Sequence, residues 1–312
     1  MNDPASDGIS VERRVLLASV GLLAAGLAHR AAAQDAASST SLPPSFKSGF
    51  ATGPKGIIEA RAPFDLANPL ENWYALMKAT NNLVGARTYV PMFLRAFLCP
   101  QGTAGFPIYT SFGMWTWQLE APDPAKFDDL RPGDVIQRAM YTGVICDPWT
   151  FQPVQSIRNP YTGKTVEVRD SLFAESWLLL SGGRGFRGVD RPGFRAPDEE
   201  RAKRGTPYVR FGDDTAFNIA GILQGEGPLQ PRVDGSFWTV RHADLMNPRK
   251  HLIEATYCFA GISRARERKW LGLADDDPSQ LLFNTQGRKV HSLDRIPQAV
   301  KDTVLRKYPD RI

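Results

Sequence analysis

Along the first half of the chain the spacing of apolar residues changes once, from helical to alternating. Leu70, Trp73, Tyr74 and Met77 lie at i, i+3, i+4 and i+7, one apolar stripe expected to face the core. Asn68 before it can cap a helix, Pro69 suits the first helical position, and Glu71 stands where a capping-box carboxylate belongs. From Ala86 to Val168 the period is two. "ARTYVPMFLRAFLCP", "YTSFGMWTWQLEAP", "DVIQRAMYTGVICDP" and "KTVEVRDSLFAESWLLL" read as strands bounded by Pro and Gly. In the second of these, Gly113, Trp115, Trp117 and Leu119 share one face, and Phe112, Met114, Thr116 and Gln118 the other. Bulk on both faces implies that both are covered, as in a barrel that is filled or holds a ligand.

Ser181 to Pro207 breaks this pattern. Seven basic residues stand there against four acidic ones, among several glycines, and a segment of this length reads as a mobile cover or a solvated insert. Beyond it, "SFWTVRHADL" and "HLIEATYCFAGI" suggest paired strands joined through "MNPRK". The second also fits a helix opening at Pro248, through Leu252, Thr256 and Phe259. "QLLFNTQGRKVHSL" reads as a hairpin turning at Gln286-Gly287. A last helix begins at Pro297 with Val300, Val304 and Leu305 inward, closed before Pro309. The expected fold is mainly β: a single antiparallel, barrel-like (lipocalin-like) domain over residues 63–312, with a short helix at each end.

Composition allows this. The 312 residues are 42% hydrophobic, enough for a sizeable core in one β-rich domain. The net charge of +5 is spread along the chain. A nucleic-acid surface would need stronger charge interleaved with aromatics, so no nucleic acid is expected. The N-terminus "ERRVLLASVGLLAAGLAHRAAAQ" pairs Arg13 and Arg14 before an apolar run and an A-x-A site ahead of Gln34. Residues 1–33 thus resemble a twin-arginine signal, with the twin-arginine export machinery as partner and a periplasmic destination. The apolar run is shorter than the roughly 20 residues that span a bilayer, so no membrane anchor is expected after cleavage. Residues 34–62, rich in Ala, Ser, Gly and Pro, read as a flexible lead-in. Cys99, Cys146 and Cys258 leave two readings open, one disulfide with a free thiol or three thiols.

No G-x-S-x-G, H-E-x-x-H, Walker loop or dinucleotide fingerprint is present, and neither cofactor nor metal is expected. The acid–base candidates are few. His242 and Asp244 are two apart and would share a face on a strand, as an oriented base or as two metal ligands. His251 and Glu254 would approach them if the flanking strands pair. In "DPWTFQPVQSIRNPYTGKTVEV", Asp147-Pro148 and Asn159-Pro160 each start a turn, and Gly163 takes positive φ. Asp147, Arg158 and Tyr161 would act at a barrel mouth if that hairpin faces a cavity. Trp115, Trp117, Trp149 and Trp238 are the candidate ligand-binding aromatics.

That passage is similar to the "D-P-x-T-G-x-x-x-x-x-W-x-N-P-x-T-G-x-x-V-x-V" stretch of the domain of unknown function 1838 family. The ending "LLFNTQGRKVHSLDRIPQAVKDTVLRKYP" resembles the same family's C-terminal "G-x-K … L-P … Y-P" passage. Phe151 replaces the family's Gly after Thr150, and Ile157 its frequent Trp. The resemblance implies export by the twin-arginine route and lends no catalytic residues. The expected function is acid–base chemistry on a small hydrophobic molecule in an apolar cavity (isomerase, lyase or hydrolase type). A noncatalytic carrier and a structural or interaction protein are the alternatives.

Overall fold

A computed structural model describes residues 62–189, 194–195, 199–223 and 232–311. The signal-like segment and nearly all of the lead-in lie outside these residues. Helix α1 (Pro69–Thr80) begins as its sequence asks, the Asn68 side chain accepting from the Leu70 and Glu71 amides. Thirteen strands follow: β1 (Thr88–Cys99), β2 (Phe106–Glu120), β3 (Val135–Cys146), β4 (Ser156–Arg158), β5 (Thr165–Glu167), β6 (Ser171–Leu180), β7 (Gly185–Gly188), β8 (Phe194–Arg195), β9 (Tyr208–Phe211), β10 (Asp214–Leu223), β11 (Arg232–Arg241), β12 (Ala255–Arg264) and β13 (Gln280–Lys289). Helix α2 (Glu199–Arg204) precedes β9, and the one-turn α3 (His242–Leu245) follows β11.

Eleven of the strands form one antiparallel sheet in the order β8-β7-β6-β3-β2-β1-β13-β12-β11-β10-β9, and β4 pairs with β5 separately. The mainly β, antiparallel expectation therefore holds. Closure does not: among the described residues the sheet ends at β8 and β9 and forms no closed barrel. It is nonetheless deeply rolled. β2 and β11 are four strand spacings apart in the order, roughly 19 Å in a flat sheet. Yet the rings of Trp117 on β2 and Trp238 on β11 have centroids 5.5 Å apart. The sheet is a trough whose walls nearly meet.

Both faces are covered, as β2 suggested. The C-terminal helix, α-helical over Gln298–Val300 and π-helical over Lys301–Leu305, lays Val300 and Val304 on Tyr89, Met114 and Val144 of the convex face. Arg311, 7% exposed, then donates to the carbonyls of Tyr141 and Phe173 at 3.1 and 3.0 Å. Inside the trough, α1 fills one end. The expected single stripe is too narrow a description: Leu70 is half-exposed, while every residue from Asn72 to Thr80 is buried. Buried polar groups must be paired, and those on α1 are. Asn72 bonds the Thr206 amide and carbonyl. Lys78 Nζ donates to the carbonyls of Leu245 and Asn247, both at 2.8 Å. Lys289 Nζ, from β13, donates to those of Lys78 and Asn81 at 2.7 and 2.9 Å, satisfying carbonyls that a helix C-terminus leaves without partners.

One other expectation changes. Gln286-Gly287 is not a turn, because β13 runs straight through it. There a Cβ on Gly287 would lie 2.8 Å from the Pro91 carbonyl oxygen, so the glycine permits close backbone approach. The 181–207 segment, read as a mobile cover or a solvated insert, carries β7, β8 and α2 among its described residues. The strand pair read at Phe237–Leu245 and His251–Ile262 forms over a shorter span: β11 stops at Arg241, β12 starts at Ala255, and the two pair. All three cysteines are free thiols.

Burial brings the Lys78 amine from its ordinary 10.5 down to about 8, with Lys250 adding to the effect and Asp244 opposing it. The unfolded chain therefore binds more protons than the folded one between about pH 8 and 10.5, and stability rises with pH through that window. Melting temperature measured from pH 7.5 to 10 should climb in the wild type relative to Lys78→Met, which lacks this titration. Parallel curves for the two proteins would show that Lys78 keeps an ordinary pKa.

Candidate functional site

The register places one row of residues across the trough. Running from β10 to β6 it reads Phe217, Trp238, Tyr257, Gly287, Met92, Gly113, Gly143 and Ser171. One wall thus carries three large aromatics and the other carries glycines and a serine. When the sheet rolls, bulk faces space, and a cavity of about 110 Å³ remains. Its lining includes Trp115, Trp117, Trp238, Tyr141, Phe173 and Tyr257. Trp115, Tyr141 and Phe173 form a mutual cluster with every pair of centroids 5.0 Å apart, within the range where aromatic pairs attract.

Tyr141 owes its position to the glycines. Its ring lies over Gly113 and Gly143, which face each other in register. A Cβ on either would come within 2.6–2.8 Å of that ring or its hydroxyl. The phenol meets Ser111, and burial, with Tyr109 nearby, pushes its pKa to about 12 against the smaller opposing pull of Ser111 and Arg268. At neutral pH it is a hydrogen-bond donor, not a base. Arg268 follows the 3₁₀ turn Ala265–Glu267, with its guanidinium carbon 5.7 Å from the centre of the Phe283 ring. It lines the end of the cavity away from α1 together with Tyr109, Ser111 and Phe283. At the α1 end the lining includes Thr80, Trp117 and Gln137.

Three of the four tryptophans expected to bind a ligand are therefore cavity walls. Trp149 is not; it is 73% exposed in the turn after β3. None of the five acid–base candidates lines the cavity. The Asp147 carboxylate accepts from the Trp149 and Thr150 amides at 2.9 and 2.7 Å, and the Thr150 amide, then that of Trp149, holds its pKa below the usual carboxylate value. Arg158 and Tyr161 are exposed on the outer side of the β4–β5 hairpin. His242 and Asp244 do not share a strand face, because β11 ends at Arg241 and they open α3. His242 Nδ1 lies 2.9 Å from the Thr215 hydroxyl, whereas Asp244 pairs with Lys250. His251 is exposed, and Glu254 pairs with Arg288 and Arg295.

The hairpin is built from one turn used twice. Asp147-Pro-Trp-Thr-Phe151 and Asn159-Pro-Tyr-Thr-Gly163 match bond for bond. In each, the first side chain accepts from the third and fourth residues' amides. The first carbonyl accepts from the fifth amide, and the threonine hydroxyl accepts from the sixth. The fifth residue has positive φ both times, 60° at Phe151 and 71° at Gly163. Phe151, standing where the resembled motif has glycine, keeps the glycine conformation. Its ring packs edge-on against Phe93 at 5.5 Å, beside Arg95. The inner side of the hairpin seals the trough end opposite α1: Ile157 packs with Tyr109, Ile145 and Leu271, and Asn159 Nδ2 donates to the Leu271 carbonyl at 2.9 Å.

No family model matches the chain, and no curated protein matches it.

Two substitutions test this geometry by denaturant unfolding. Phe151→Gly should be about 1 kcal/mol more stable than Phe151→Ala, since both lose the ring and only glycine accepts the left-handed backbone freely. Equal stability would argue against a strained turn. Gly143→Ala should cost about 1–3 kcal/mol and change the emission of Trp115, because Tyr141 must lift from its bed.

Proposed function

We propose that the protein binds a compact, largely apolar, ring-bearing molecule in the rolled sheet's cavity, as a noncatalytic carrier. The observation that carries this is the wall itself: indole and phenyl faces on several sides of a space of about 110 Å³. A cavity of roughly 150 Å³ holds benzene, so this smaller space limits its guest to a molecule of about one ring. Aromatic walls favour flat guests through stacked and edge-on contacts. The carrier reading is preferred because Asp147, His242 and Asp244 are bonded to turns and neighbours outside the cavity, with Arg158 and Tyr161 on the outside of the hairpin. It keeps the ligand-holding role of a lipocalin-like protein without a closed barrel.

One observation favours the enzymatic reading as second. Tyr141, bonded to Ser111 and lying near Arg268, could donate a hydrogen bond to a substrate oxygen that gains charge. Membership of the domain of unknown function 1838 family, and export to the periplasm through the twin-arginine route, complete the proposal. They rest on the two quoted passages and on the Arg13-Arg14 signal pattern.

Native mass spectrometry of protein recovered from the periplasm tests the reading. An organic molecule released unchanged on denaturation supports a carrier, whereas a product generated from it on incubation supports the enzyme. Ile219, 1% exposed and part of the lining, gives the control. Ile219→Phe should fill the cavity and weaken binding of that molecule at least tenfold. Unaltered binding would place the ligand elsewhere.

A further inference from the structure

We infer that the α1 end of the cavity reads a neutral hydroxyl on the bound molecule, an inference that rests on the binding function proposed above and narrows its ligand class. Two lining side chains there carry buried polar atoms without a hydrogen-bond partner among the described residues, Trp117 Nε1 and Gln137 Oε1. The residues are 6% and 3% exposed. Buried atoms of this kind are costly to leave unpaired and are normally met by a partner.

A chain of hydrogen bonds sets which atom of Gln137 is left over. The Thr80 hydroxyl donates to the Leu76 carbonyl at 2.9 Å, so its oxygen accepts from Asn81 Nδ2 at 2.8 Å. That turns Asn81 Oδ1 toward Gln137, whose Nε2 donates to it at 2.9 Å. The order of donors begins at a helix carbonyl, which can only accept, and it ends with Gln137 Oε1 as an acceptor needing a donor. Trp117 Nε1 is a donor only. Register makes the two side chains diagonal neighbours on one face. Gln137 is in register with Leu119, and Trp117 lies two residues earlier on that same face of β2, a diagonal separation that long and aromatic side chains reach across.

One small group satisfies both atoms at once: a hydroxyl, donating to Gln137 Oε1 and accepting from Trp117 Nε1. A carboxylate has no proton to give and would oppose the Gln137 oxygen. An ammonium group cannot accept, a ketone answers only Trp117, and a methyl answers neither. A hydroxyl is the smallest group that meets both atoms, so the ligand class is a compact ring carrying a neutral hydroxyl, seated with that group toward α1.

Phenol and toluene, equal in shape and differing only in this group, are the probes, and calorimetric titration of the full chain measures both. Phenol should bind about tenfold more tightly than toluene, roughly the worth of a hydrogen bond made in a buried site. Trp117→Phe removes the N–H without touching the Gln137–Asn81 bond and should reduce that preference to within about twofold. Gln137→Leu should do the same, and retained toluene binding in each variant reports an intact cavity. Equal binding of phenol and toluene by the wild type would overturn the inference while leaving the binding function standing. So would a preference that survives in both variants, since the hydroxyl would then be read elsewhere. Failure of both probes to bind would overturn the binding function together with it.

Discussion

A sheet bent until β2 faces β11 has to dispose of its concave side. The rings of Trp117 and Trp238, 5.5 Å apart, show how little room the bend leaves. Everything packed inside is selected by that constraint. Helix α1 occupies one end, and the β4–β5 hairpin with the turns around Leu271 seals the other. Between them the walls are uneven, because Phe217, Trp238 and Tyr257 stand on one side of a row whose other side is Gly113, Gly143 and Ser171. Uniformly large residues would clash, and uniformly small ones would leave a void that collapses or floods. The mixture leaves a space that is bounded by aromatic faces.

Burying a whole helix in that trough has an electrostatic cost. Nine consecutive residues, Asn72 to Thr80, are sequestered, and Lys78 among them is fully buried beside the equally buried Lys289. Burial disfavours both ammonium groups, and their mutual repulsion lowers Lys289 further. In return each amine supplies donors to two carbonyls that would otherwise lack them. Lys289 sits on β13 and Leu245 and Asn247 follow β11, so these bonds lash the helix to two separate parts of the wall. The same end of α1 supplies Thr80 and Asn81, which orient Gln137. Anchoring the helix and defining the polar end of the cavity are therefore one structural event.

What could be read from the sequence was local. Asn68 and Pro69 announced the start of α1, the double bulk of β2 announced two covered faces, and the Asp-Pro and Asn-Pro turns and Gly163 formed as read. The failures in α1 and β13 involve partners more than a hundred residues away. Nothing near Asn72 or Lys78 announces Thr206 or Leu245, so a buried polar helix looked like a one-sided amphipathic one. Gly287 was misread as a turn although an isolated glycine within a strand pattern also signals close backbone approach. Applied to Gly113 and Gly143 as well, that rule would have pointed to the open half of the row.

The acid–base residues follow the same division. Asp147, Arg158, Tyr161, His242 and Asp244 drew notice because reactive residue types stood out beside turn residues. At a turn such side chains are commonly occupied by the backbone, as the Asp147 carboxylate is by the amides of Trp149 and Thr150. Gln137, Thr80 and Ser111 are unremarkable residue types in strand and helix interiors. Their importance comes from burial on the lining of an apolar space, where water no longer competes for each donor and acceptor. Chemistry in a rolled sheet accordingly belongs to inward positions on long strands, and the turns supply the closure that keeps those positions dry.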